Sequence, residues 1–225
     1  MNKKFDLIIF DWDGTLVDSA NSIACSLQGA ARDLGVPEPS NEEARYVIGL
    51  GLNEAIRHLF PNLTSQEFDL ISDRYRHRYL TQDKKISLYK GVLEIIKALY
   101  AENFLLAVAT GKSRAGLNHS FNSSGLGGFF HASRCADETF SKPHPAMLLE
   151  LMSQFNVKAT RTLMIGDTTH DLQMATNACV SGVGVTYGAH PKKRLETLEP
   201  LACVESVAQL HLWLNANILL KKNLQ

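Results

Sequence analysis

Asp11 and Asp13 stand two positions apart where the apolar start of IIFDWDGTLVDS (residues 8–19) ends, and Gly14 follows at once. Asp-Gly is a common turn dipeptide, so this stretch alone reads as well as a simple strand-ending turn. Other polar residues recur at the ends of later apolar runs. Thr110 and Gly111 lie in VATGKSR, Lys142 in SKPHP, and Asp167 and Asp171 in MIGDTTHD.

Several carboxylates in one cleft repel each other unless a cation sits among them. Asp11, Asp167 and Asp171 offer hard oxygen ligands without His or Cys, a donor set that suits Mg²⁺. Lys142, the Thr110 hydroxyl and the backbone N–H groups of Gly14 and Gly111 suit phosphate oxygens. Together they read as a magnesium-dependent phosphoryl-transfer site. The spacing of the first two aspartates then has a use, because residues i and i+2 of an extended segment point the same way. Asp11 can attack phosphorus to form an aspartyl-phosphate, while Asp13 protonates the leaving oxygen and later deprotonates water.

These residues converge only if strands carry them to one edge. Short apolar runs at 5–10, 104–110, 162–167 and 180–186 read as buried parallel strands. Amphipathic stretches at 145–155 and 171–179 alternate with the later runs, which predicts an α/β fold with a mainly parallel sheet core. About 90 residues separate Asp13 from the strand at Phe104, whereas a βαβ unit takes roughly 30. A crossover helix at 91–103 leaves residues 18–84 as an inserted helical cap domain, with the core made of 1–17 and 85–225. Helical spacing from Ile23 to Leu34 stops at Gly35, and further helices are expected at 41–48, 53–60 and 65–82. The insertion leaves the first strand at its carboxyl end, where ligands of open α/β sheets bind. A lid there would desolvate Asp13 and favour its protonated form.

Composition narrows the partners. Lys plus Arg and Asp plus Glu both total 23 in 225 residues, so no net field favours nucleic acid or an acidic membrane surface. Apolar runs are too short to span a bilayer, and the basic N-terminus reads as a first strand, not a signal peptide. Four scattered cysteines suit reduced thiols and a cytoplasmic location, and the eight histidines show no zinc spacing.

DWDGTLVDS, ATGK, the lysine of SKP and GDTTHD occur in the order of the four motifs of haloacid dehalogenase-like hydrolases, which the whole chain resembles. It looks most like their phosphoglycolate phosphatase group. The resemblance implies a Rossmann-like core with a helical cap, Mg²⁺ as cofactor and a small phosphorylated metabolite as substrate. It implies Asp11 as nucleophile, Asp13 as acid and base, and Thr110, Gly111 and Lys142 on the phosphate. Asp11, the Asp13 backbone carbonyl, Asp167 and Asp171 would hold the metal, Asp171 directly or through water. Trp12 replaces the usual Phe or Leu, Gly111 stands where Asn is common, and NAC at 177–179 replaces Ala-Ala-Gly.

In the cap, RYVIGLGLNEAIRHLF (45–60) carries Gly49 and Gly51, which would let a loop approach the core closely. Arg45 and Arg57 are candidates for a substrate carboxylate or second phosphate, and equally surface arginines. His170 is expected at a solvated helix start, Asp171 as a metal ligand in preference to a helix cap, and KKRLE (192–196) as an exposed helix face. Lys112 and Arg114 either add positive potential near the phosphate or lie in a solvated loop. A monomer or homodimer is expected. The competing activities are a sugar phosphomutase, which returns the phosphoryl group to the sugar, and, more remotely, a phosphoacceptor signalling domain.

Overall fold

The computed structural model describes residues 3–82 and 87–218. Six strands form one sheet, β1 (Leu7–Phe10), β2 (Leu105–Thr110), β3 (Ala132–Cys135), β4 (Thr162–Gly166), β5 (Ser181–Val185) and β6 (Ala202–Val204). Their order is β3-β2-β1-β4-β5-β6, and every ladder is parallel. This is the Rossmann order, and its direction reverses between β1 and β4.

The strands are continuous apolar runs because helices cover both faces of the sheet. Alternate side chains of β1 enter different layers. Ile8 and Phe10 pack with Leu106 and Val108 against Ile95, Leu99, Leu210 and Leu214, from helices α5 (Val92–Ala101) and α10 (Val207–Asn217). Leu7 and Ile9 pack with Ala107 and Met164 against Met147, Leu151 and Met174, from α7 (Ala146–Phe155) and α8 (Thr169–Asn177). Ile8 and Ile9 are fully buried, so truncating either to Ala costs about 2–5 kcal/mol. α6 (Arg114–Ser124) and α9 (Lys192–Glu196) complete the core's helices.

Among the described residues, four helices lie between β1 and α5: α1 (Ala20–Leu34), α2 (Asn41–Tyr46), α3 (Leu52–Leu59) and α4 (Ser65–Gln82). The α1 helix buries Ile23, Leu27, Ala30 and Ala31 and ends at Gly35, whose φ of 66° is the left-handed cap glycine favours. Ser40 and Glu43 form a reciprocal capping box that starts α2. These helices share apolar clusters of their own, such as Ile23, Leu27, Val47 and Ile48, and Ala31, Ile56 and Ile71. The chain enters and leaves this block side by side. Val17 bridges Leu88 in antiparallel fashion, the Asp18 N–H donates to the Ser87 carbonyl at 2.9 Å, and the Tyr89 N–H donates to the Leu16 carbonyl at 3.1 Å. The expected boundary at 84/85 lies outside the described residues.

Strands β3 and β6 and helices α6 and α10 were not anticipated from the sequence. No helix among the described residues is long and apolar enough to cross a membrane. All four cysteines are free thiols.

Candidate active site

Register sets the site. Phe10 pairs with Val108 on one side and Ile165 on the other, so β1, β2 and β4 end within two residues of one another. Asp11, Thr110 and Asp167 therefore leave the sheet at one edge, beside the point where strand order reverses. All three are buried, as are Asp13, Lys142 and Asp171.

Lys142 Nζ lies 2.5 Å from Asp11 Oδ1 and 2.7 Å from Asp171 Oδ1. One oxygen each from Asp11, Asp167 and Asp171 lies within 4.8 Å of the others. Burial pushes the Asp11 carboxyl well above the usual carboxylate range; Lys142 opposes this, while Asp171 and Asp167 add to it. Burial also works against the Lys142 charge, but Asp11 and Asp171 outweigh it and raise the ammonium above its ordinary value. The Asp167 carboxyl is pushed up to about 7, first by burial and then by Asp171.

These residues fit a divalent cation on two grounds. Asp11 Oδ2 is buried without a hydrogen-bond partner, and Asp171 Oδ1 accepts no aligned bond despite its nearness to Lys142. Three carboxylates against one ammonium also leave two unbalanced negative charges, and a hard all-oxygen set suits Mg²⁺.

The supports explain the local sequence. Asp167 Oδ1 accepts from Thr15 Oγ1 at 2.8 Å and Oδ2 from the Ala189 N–H at 2.7 Å. Gly14, at φ 83°, passes so close that a Cβ there would sit 2.2 Å from Asp167 Oδ2. Asp171 takes the helix-cap role set aside in favour of metal binding. Its Oδ2 accepts from the Thr168 N–H and hydroxyl to cap α8, while Oδ1 turns to Lys142.

Asp13 faces the helical block. Its Oδ1 accepts from Ser19 Oγ at 2.7 Å and from the Tyr79 hydroxyl of α4 at 3.4 Å, with Lys112 Nζ 3.2 Å away. Lys112 is thus not in a solvated loop. Ser19 and Tyr79 were missed at the sequence level. Ser19 lies within the first motif and was open to notice, whereas nothing in the sequence pairs Tyr79 with Asp13.

The loop carrying Gly49 and Gly51 lies against the motif loops. A Cβ on Gly49 would be 3.1 Å from Thr168 Oγ1, and the Gly51 N–H donates to Ser141 Oγ at 2.8 Å. A Cβ on Gly111 would be 2.3 Å from the Leu50 carbonyl oxygen and 2.6 Å from that of Gly49. The missing Asn side chain at position 111 therefore makes room for this loop.

Arg45 donates to the carbonyls of Gly188 at 2.7 Å and Ala189 at 3.3 Å, so it ties α2 to the core. Arg57 is exposed, with its guanidinium 5.6 Å from the Phe68 ring. His170 corrects the expectation of a solvated position. It is buried, and both its Nε2 and that of His190 contact the Tyr46 carbonyl, at 2.7 and 3.0 Å. A carbonyl only accepts, so both rings carry Nε2–H. His190 Nδ1 in turn accepts from the Thr169 N–H at 3.0 Å. Arg114 is bound to Glu138 and Ser133, away from Asp13.

Residues 8–185 match the family model described as haloacid dehalogenase-like hydrolase. A Dickeya dadantii protein named "Probable phosphatase IndB" is 35% identical over 210 residues, covering 91% of each chain. A Vibrio vulnificus "Phosphoglycolate phosphatase" is 31% identical, covering 92% of this chain and 95% of its own. Among solved structures, a "predicted phosphoglycolate phosphatase" from Haemophilus somnus superposes with a TM-score of 0.81 at 28% identity, over 92% of this chain and 96% of that one. The match to the family model and the near full-length relatives agree with the strand order and the site at its reversal point, and the chain belongs to the haloacid dehalogenase-like hydrolases.

Proposed function

We propose that this protein is a Mg²⁺-dependent phosphatase that hydrolyses a small phosphate monoester through an aspartyl-phosphate on Asp11. The observation that carries the reading is the buried Asp11 carboxylate, which has one oxygen on Lys142 and the other without a partner. Such a group is positioned to react and is held only through its other oxygen.

In this reading an Asp11 oxygen attacks phosphorus as the ester bond to the alcohol breaks. Asp13 gives its proton to the departing alkoxide. Asp13 then takes a proton from water, whose oxygen attacks the phosphorus of phospho-Asp11, releasing inorganic phosphate and restoring the Asp11 carboxylate. Thr110 Oγ, the Gly111 N–H and Lys142 hold the transferring phosphoryl oxygens, so catalysis rests on positioning and charge stabilisation. Asp11, the Asp13 carbonyl, Asp167 and Asp171 would hold Mg²⁺. The ion supplies charge neutralisation among the acids and a hard Lewis acid for phosphate oxygens.

Residues 18–84 act as a cap over this site, and the antiparallel contact of 16–18 with 87–89 is their hinge. Support comes from Gly49–Gly51 lying on the loops of Gly111, Ser141 and Thr168, and from Tyr79 reaching Asp13. The named relatives favour a phosphoglycolate-like substrate over a sugar phosphate.

The test is phosphate release from a panel of phosphomonoesters. EDTA should abolish turnover, Mg²⁺ should restore it, and Ca²⁺, with its larger and looser coordination, should support it poorly. Full activity after exhaustive EDTA dialysis contradicts the metal assignment, and hexose isomerisation without phosphate release favours the mutase.

A further inference from the structure

Asp13 does not face the helical block alone. Lys112 Nζ donates to the Tyr79 hydroxyl at 2.9 Å and lies 3.2 Å from Asp13 Oδ1, and the Lys112 and Asp13 side chains are each only 10% exposed. The same ammonium sits 4.6 Å from the centre of the Tyr79 ring, which stacks on Tyr75 at 5.9 Å. The backbone of Lys112 is pinned too. Its N–H donates to Thr110 Oγ1 at 3.2 Å, and its carbonyl accepts from the Ala136 N–H at 3.0 Å. A largely buried, well-anchored cation therefore stands at the cap side of the site, separate from Lys142 between Asp11 and Asp171.

Its position fixes which part of a substrate it meets. Under the proposed function, on which this inference rests, Asp13 hands its proton to the leaving oxygen. Whatever lies against Asp13 on the cap side then lies against the leaving group, not against the phosphoryl group at Asp11 and Lys142. An ammonium has three N–H donors; Tyr79 Oη and Asp13 Oδ1 engage two, which leaves one for a ligand.

We propose that Lys112, held by Tyr79, is a specificity-determining residue that takes an anionic group, a carboxylate or phosphate, carried by the leaving alcohol close to the ester oxygen. A buried ammonium binds an anion by a charge-assisted hydrogen bond that a neutral alkyl group cannot make. Because Tyr79 belongs to α4 and Lys112 to the loop after β2, the contact forms only while the helical block is down on the core.

Two esters isolate the charge. 2-Phosphoglycolate and ethyl phosphate differ only in a carboxylate standing where the other has a methyl group. The measurement is the ratio of their kcat/KM values with Mg²⁺ present, in the wild type, Lys112→Gln, Lys112→Arg and Tyr79→Phe. A ratio cancels any loss common to both esters, including one arising from the Lys112–Asp13 contact. The wild type should favour 2-phosphoglycolate, and Lys112→Gln should lower the ratio by about 10- to 100-fold, as expected for one hydrogen bond to a charged group. Lys112→Arg should keep most of the preference and Tyr79→Phe should lower it by about threefold, by the same scale for a neutral partner. An unchanged ratio in Lys112→Gln, or a wild type with no preference for the carboxylate, overturns the assignment. Release of phosphate from neither of these esters, with release from other phosphomonoesters of the panel, overturns this assignment alone; release from none of the panel overturns the phosphatase reading and this assignment with it.

Discussion

Gly111→Ala gives a sharp test of whether the closed arrangement is the productive one. The added methyl would lie 2.3 Å from the Leu50 carbonyl oxygen and 2.6 Å from that of Gly49, and both obstacles are backbone. Neither can rotate away as a side chain would. Ordinary contact begins near 3.4 Å, so the Gly49–Gly51 loop must retreat by roughly 1 Å. A displacement of that size at a reacting centre can cost about 100-fold in rate. The retreat need not unfold anything, because the helical block is joined to the core by one pair of adjacent segments, 16–18 and 87–89. Overpacking in a sealed core would cost about 1–3 kcal/mol; a hinge relieves much of that. The expected signature is therefore a kcat/KM lowered about 100-fold with nearly wild-type melting. Amide exchange at Gly51, whose N–H donates to Ser141 Oγ at 2.8 Å, should accelerate. Wild-type kcat/KM in Gly111→Ala would refute the claim that the loop contact belongs to the active form.

Three further outcomes follow from the same geometry. Lys142→Met leaves Asp11 and Asp171 without their shared buried cation; urea titration without metal should show a loss of about 3–5 kcal/mol, and Mg²⁺ should recover part of it. His190 is buried, and desolvation first and His170 second hold its ring down at about 4. Its neutral form contributes stability that is complete above the ordinary 6.5 and is lost as pH falls toward 4, by about 3 kcal/mol. His190→Gln should flatten that part of the stability–pH curve, and an unaltered slope would contradict the assignment. Chelation by EDTA, as above, should abolish turnover reversibly.

The strands legible in the sequence were those covered on both faces. LIIF is apolar throughout, and LLAVAT up to its closing Thr110, because helices lie above and below them. ASRC is only partly buried at the sheet edge, and ACV is three residues long, so neither stood out. The first cap helix was legible through its apolar spacing and the Gly35 that ends it, whereas the Ser40–Glu43 capping box that starts α2 emerged only in the structure. Among site residues, those within a few positions of a strand end were nominated, because register alone brings Asp11, Thr110 and Asp167 together. What escaped depends on how the helical block sits on the core. Tyr79 is 66 residues from Asp13, and the Tyr46 carbonyl is 124 residues from His170, separations no local pattern encodes. The steric reason for glycine at position 111 likewise lies in the Leu50 carbonyl above it, which no local pattern encodes.

The central claim is that Asp11 carries the phosphoryl group and Asp13 moves the protons. The direct measurement is acid-quenched single turnover with a ³²P-labelled ester, followed by mapping of the labelled residue. Asp13→Asn keeps the nucleophile but loses the base that activates water, so labelled enzyme should accumulate on Asp11. General acid–base assistance is worth about 100- to 10,000-fold, and its loss should weigh more on an alkyl ester than on p-nitrophenyl phosphate. Asp11→Asn should yield no labelled protein with either substrate. Label in Asp11→Asn, or label on any residue other than Asp11 in Asp13→Asn, would contradict the account.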